Sequence, residues 1–143
     1  MKELEYPFDS SFLLQKRRKL KKALLADGSA RMEKRIAVLG GSTTNDIVSM
    51  LELFLLNCGI QPVFYQSEYA QYWQDAMFDA PELAAFQPDL IFIHTTSRNI
   101  TEAPLPLSAS EQEVQDALER QYTHFTQMWE HLAATYHCPI LQN

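Results

Sequence analysis

Cysteine is nearly absent from this 143-residue chain: Cys58 and Cys138 are the only two. That number supports neither a disulfide framework nor a zinc site. Glycine is scarce too, with four residues against seven prolines, and no low-complexity tract occurs, so wholesale disorder is excluded. No apolar run reaches the roughly 18 residues needed to span a bilayer. The N-terminus has no apolar segment followed by a small-residue cleavage site, so a secretory precursor is not expected and a cytoplasmic location is. Two phosphate-binding signatures are missing: there is no Gly-Lys-Ser/Thr of a Walker loop and no Gly-x-Gly-x-x-Gly of a dinucleotide fold.

What is present is an ordinary globular balance, 46% apolar and 21% charged, in a length suited to one domain. A chain of this size buries roughly 68% of its unfolded surface, enough for a real core. The net charge of −6 conceals an asymmetry. Residues 1–35 hold ten of the twelve Lys and Arg and carry +5, while the remaining 108 residues carry −11. With a pI near 5.1 and an acidic body, nucleic acid is not an expected partner.

The segment through residue 34 reads as a lead-in and a basic amphipathic helix. Ser10 or Ser11 can cap it, Phe12, Leu13, Leu14, Leu20, Leu24 and Leu25 give it apolar positions, and Gly28 sits at a C-cap. Its cations (Lys16, Arg17, Arg18, Lys19, Lys21, Lys22) suit either an anionic surface or a plain solvated face.

From residue 35 to 143 short apolar runs alternate with helical patterns. Ile36–Leu39 is a buried strand, and a helix from about Ile47 to Cys58 follows, apolar nearly all round. Gln61–Tyr65 is a second strand, with Pro62 favouring an edge position. A short helix is expected around Tyr69–Met77, a helical turn after Pro81, and a third strand over Leu90–Ile93. Ser110 to Glu113 forms a capping box for a long helix whose stripe runs Val114, Leu118, Tyr122, Phe125, Trp129, Leu132, Tyr136. Pro139–Gln142 is a fourth strand. These units predict an α/β, flavodoxin-like three-layer fold: a parallel sheet of about four strands in order 2-1-3-4, cut short before a fifth.

Ligands of such sheets bind beyond the carboxyl ends of the strands, where the strand order reverses. The loops meeting there are Gly40–Asp46 and His94–Ile100. Ser42, between a strand end and a helix N-terminus, is the candidate nucleophile or anion ligand, with Gly40, Gly41, Thr43, Thr44 and Asn45 around it. A tight, capped strand-to-helix connection is the plainer alternative. Arg98, the only Lys or Arg between Arg35 and Arg120, is a candidate clamp for a phosphate or carboxylate, or else a surface ion-pair partner. His94 is a possible base or a hydrogen-bonded structural residue. His124, His131 and His137 are expected at the surface, and none has metal-ligand spacing. The aromatics Phe64, Tyr65, Tyr69, Tyr72, Trp73 and Phe78 suit an acyl pocket or, more simply, core.

The run RIAVLGGSTTN, Arg35 to Asn45, resembles the first block of SGNH hydrolases, with Ser42 at the nucleophile's place. PDLIFIHTTSRN, Pro88 to Asn99, resembles their third block. More closely, the chain is similar to the N-terminal SGNH-like region of FkbH-like proteins, which carry a haloacid-dehalogenase-type (HAD) phosphatase-like domain downstream. The residues behind this are Phe8-Asp9, Ile36–Thr44, Phe64–Tyr72, Phe86–Ile93 and Cys138–Asn143. The resemblance implies transfer of a glyceryl or similar acyl unit, by way of a phosphorylated ligand, to an acyl carrier protein. It implies Mg2+ for the downstream domain and no cofactor for this segment. It also places Asn99 with Arg98 in the binding loop.

The departures are specific. The SGNH aspartate is Gly41 here, Thr96 stands at the third block's glycine, and Arg98 stands at its asparagine with Asn99 one place later. The Asp-x-x-His block that supplies the SGNH base and the HAD Asp-x-Asp nucleophile are both absent. Three functions therefore stay open: a domain of an acyl- or phosphoryl-transferring enzyme, a non-catalytic module docking a carrier protein or phosphorylated ligand, and a serine esterase or acyltransferase using Ser42.

Overall fold

The computed structural model describes all residues 1–143. Its four strands are parallel and lie in the expected order β2-β1-β3-β4. After a single 3-10 turn at Lys2–Leu4, the elements are α1 (Ser10–Ala26), β1 (Met32–Gly40), α2 (Asn45–Asn57), β2 (Ile60–Gln66), α3 (Tyr72–Met77), α4 (Pro81–Phe86), β3 (Leu90–His94), a 3-10 turn at Ser97–Asn99, α5 (Glu111–Tyr136) and β4 (Ile140–Gln142).

β1 is longer than its apolar run. Met32 to Arg35 pair with the edge strand β2 alone, and only from Ile36 does β3 flank the other side. Residues with one neighbour at a sheet's margin need not be apolar, which is why Glu33, Lys34 and Arg35 can sit in a strand. Pro62 falls on β2, an edge strand, where a missing N–H costs nothing. α2 starts two residues before its first apolar one because Asn45 and Asp46 supply its first turn. α3 begins later than the pattern suggests, since Ala70 takes a left-handed φ of 59° and interrupts any helix from Tyr69.

Side chains alternate across the sheet, so each face has its own core. On one face Ile36 and Val38 pack with Val48 of α2, joined by Leu55, Phe64, Leu90 and Phe92. On the other, Ala37, Leu39, Ile91 and Ile93 pack with Tyr72 and Ala76 of α3, Leu83 of α4, and Met128 and Leu132 of α5. α1 lies outside α2, where Leu13, Leu20 and Leu24 meet Leu53 and Leu56. That accounts for the all-round apolarity of α2: one side touches the sheet and the opposite side touches α1. The cap of α1 is Asp9, whose carboxylate accepts from the Phe12 N–H at 3.0 Å, and not Ser10 or Ser11.

α5 has 26 residues and is about 39 Å long by the helical rise, more than twice the length of β3. Only its later part can lie against the sheet. Met128 and Leu132 are fully buried, whereas Val114, Leu118 and Tyr122 of the same stripe are 43%, 60% and 63% exposed. The aromatic group divides likewise. Tyr72 is buried and Tyr65 and Trp73 pack on the core, while Phe64 faces α2 and Tyr69 and Phe78 are exposed, so no acyl pocket forms among them. No helix is long and apolar enough to cross a membrane.

Candidate functional site

The carboxyl ends of β1 and β3 bring the two polar loops together. At the end of β1 the Gly41 N–H donates to the His94 carbonyl at 2.8 Å, so the backbones remain latched one residue past the strand. The chain then folds over its own end. A methyl group on Gly40 would lie 2.8 Å from the Thr44 Cγ2 and 2.9 Å from the Ser42 carbonyl oxygen. One on Gly41 would lie 2.5 Å from the Asn99 amide. Both glycines are there for close approach, not for backbone twist.

Asn99 is the crosspiece of this corner. Its Nδ2 donates to the Gly41 carbonyl at 3.1 Å, and its Oδ1 accepts from the Thr96 N–H at 2.8 Å. Thr96 in turn caps the 3-10 turn, its Oγ1 accepting from the Arg98 N–H at 3.3 Å. The amide of Asn99 thus fixes the second loop against the first, beside Ser42. Ser42 itself is half-buried and leads through exposed Thr43 to buried Thr44, whose hydroxyl donates to Gln66 Oε1 at 3.4 Å. Asn45 opens α2, and no side chain caps that helix. Its first N–H groups, with the positive end of the dipole, face the same corner. Asp46 in the first turn pairs with Arg17 of α1 at 3.1 Å.

The structure thus draws together Gly40, Gly41, Ser42, Thr44 and Asn99, with Thr43 and Asn45 on the turn's outer side. Arg98 is exposed and makes no ion pair, leaving its guanidinium free above the loop. His94 is half-buried at the end of β3, its Nδ1 3.1 Å from Asn143 Oδ1. Sequence reasoning missed the polar network behind it. Trp129 Nε1 donates to Gln142 Oε1 at 2.5 Å, Gln142 Nε2 donates to Thr95 Oγ1 at 3.1 Å, and Asn143 binds the Thr95 backbone. The available signal was a pair of amides directly after the last apolar run, at the same end of the sheet as the two loops.

Of the three later histidines, one departs from the surface placement expected of it. His131 and His137 are exposed, but His124 is half-buried and stacks on Trp73, centroids 3.7 Å apart and planes within 11°. Burial holds its ring below the usual imidazole pKa, and its Nε2 has no hydrogen-bond partner. Burial also pushes up Tyr65, Tyr72, Tyr136 and Cys138, all away from the Ser42 corner. Tyr65 is raised further by its 2.9 Å hydrogen bond to Asp75. No group of three or more His, Cys, Asp or Glu is placed to hold a metal ion.

These features define a doubly wound parallel α/β domain with a polar corner at the switch point of its sheet. Among solved structures it is similar to the N-terminal part of the protein BF1531 from Bacteroides fragilis, described as containing a phosphatase domain complexed with Mg, at a TM-score of 0.65 and 17% identity. The match covers 88% of this chain and 32% of that one, so the chain spans about a third of its neighbour's length, and at this identity the likeness is one of fold. No family model and no curated protein matches the chain.

Proposed function

We propose that the chain is a hydrolase-class domain, the N-terminal SGNH-like part of a longer FkbH-like HAD-family enzyme that handles acyl (glyceryl) phosphate transfer to an acyl carrier protein. The observation that carries this reading is the corner itself: Ser42 between the end of β1 and the uncapped N-terminus of α2, with the Asn99 amide hydrogen-bonded one residue away. Oriented N–H donors at such a place stabilise a phosphate or a developing oxyanion. Arg98 supplies a free guanidinium for the carboxylate or phosphate of the same ligand. A fold shared with part of a phosphatase-bearing protein supports placement within a longer chain. In this reading the Asp-x-Asp aspartates and their Mg2+ belong to a domain downstream, and this one contributes the acyl-binding corner. Hydrolysis of p-nitrophenyl acetate tests it: turnover by the chain that is abolished in Ser42→Ala is expected, whereas Arg98→Ala, with no anion on this ester to hold, leaves it little changed. Equal turnover in wild type and Ser42→Ala would remove Ser42 from the chemistry.

A second reading, a docking module, has one observation in its favour. Lys21 and Arg17 are tied inward to Glu52 and Asp46, but Lys16, Arg18, Lys19 and Lys22 of α1 are exposed and make no ion pair. A face of four free cations on an otherwise acidic protein fits an acidic partner such as a carrier protein. Binding that weakens steeply between low and physiological salt, and is lost in the double variant Lys19→Glu, Lys22→Glu, is the expected signature.

A further inference from the structure

The corner lacks an assigned base, and the carboxyl ends of three adjacent strands supply one. β1, β3 and β4 are neighbours in the sheet, and Gly40 and His94 are partners in register. Ile93 pairs with Gln142, and the Asn143 N–H reaches back to the Ile93 carbonyl at 3.4 Å, so Asn143 follows beside His94. Leu90 and Phe92 belong to the face covered by α2, and alternation puts His94 on that face too, its ring 6.1 Å from that of Phe92. The Ser42 turn lies over Gly40, the register partner of His94, before entering α2. Ser42, His94 and Asn143 therefore stand in a row across one end of the sheet.

The proton on the imidazole can be placed. Asn143 Oδ1 accepts from the Thr95 N–H at 3.0 Å and Nδ2 donates to the Thr95 carbonyl at 3.3 Å. A backbone N–H only donates and a carbonyl only accepts, so the amide cannot be turned around. The oxygen facing His94 Nδ1 at 3.1 Å is then an acceptor, and Nδ1 must carry the proton. In the neutral ring this leaves the lone pair on Nε2. The clamp is anchored from behind, through Thr95 and Gln142 to Trp129 of α5.

We propose that His94 is the base that activates Ser42, and that Asn143 is a positioning residue fixing its tautomer. The proposal rests on the reading of Ser42 as a nucleophile. Ser42 Oγ attacks an ester carbonyl carbon while its proton passes to His94 Nε2. The carbon–oxygen bond to the alcohol then breaks, and the leaving oxygen takes that proton. Water repeats the sequence: its oxygen bonds to the acyl carbon, its proton passes through Nε2 to Ser42 Oγ, and the acid is released.

The test combines p-nitrophenyl acetate kinetics with 15N spectra of the histidine rings on the full chain. His94→Gln is expected to lower kcat about 100-fold or more with KM little changed. Asn143→Ala lowers kcat and moves the His94 ring from the Nδ1–H form toward the Nε2–H form. Asn143→Asp keeps an oxygen acceptor and retains both the tautomer and most of the rate, which a merely structural role for Asn143 does not predict. An Nε2–H ring in the wild-type spectrum overturns the proposal without any reference to activity. Ser42-dependent turnover that is unaffected by His94→Gln overturns it alone, whereas no Ser42-dependent turnover at all overturns the nucleophile reading with it.

Discussion

Gly41 leaves no room for a side chain. The site of its missing Cβ is filled by the Asn99 amide at 2.5 Å, and Asn99 is itself held by Thr96 and by the Gly41 carbonyl. Gly41→Ala is expected to destabilise the fold by about 1–3 kcal/mol, the usual cost of overpacking. Urea midpoints check this, and the same substitution in an Asn99→Ala background should cost less because the clash is gone. Asn99 thus fills the space that a side chain at position 41 would need. His124 makes a second prediction at this scale. Burial against Trp73 holds its folded pKa below the ordinary 6.5. Between those values the unfolded chain binds more protons, so stability is full above about pH 6.5 and falls as pH drops through the folded pKa. A denaturation series from pH 7.5 to 5 should show this loss in wild type and a shallower one in His124→Phe.

Among the elements, α5 differs most from its sequence pattern. α1 is the amphipathic helix its sequence describes: Leu13 is fully buried and Leu20 and Leu24 nearly so against α2, while Phe12, Leu14 and Leu25 stay exposed. Leu13→Ala should therefore cost roughly 2–5 kcal/mol in a single cooperative transition, a cavity-type loss. A near-zero change in the urea midpoint would mean that α1 is only loosely attached. In α5 the capping box is visible in sequence and present in the structure: Glu113 accepts from the Ser110 N–H at 2.7 Å, which holds its carboxyl below the usual range. What the stripe does not reveal is that its first half runs beyond the sheet. Ser110→Ala should accordingly cost about 1 kcal/mol locally, read as faster amide exchange over residues 111–118 rather than as a large global shift.

For the whole molecule, strand order was legible because short apolar runs alternate with helices and because Pro62 marks an edge. The two loops of the corner were legible for the same reason, since the order of strands decides which ends meet. Asn99 entered through its likeness to a family block, but its hold on Gly41 is a contact across 58 positions that no local pattern encodes. The Gln142, Asn143 and Thr95 network is similarly long-range, spanning 47 and 48 positions. Charge distribution, by contrast, was fully written in the sequence, and the fold merely decides which cations of α1 stay free. Whether the corner at Ser42 is the working site of this domain is decided by treating the full chain with a fluorophosphonate and mapping its peptides by mass spectrometry. One covalent adduct is expected, on Ser42 and absent in Ser42→Ala; an unmodified chain, or an adduct confined to other residues, would rule that site out.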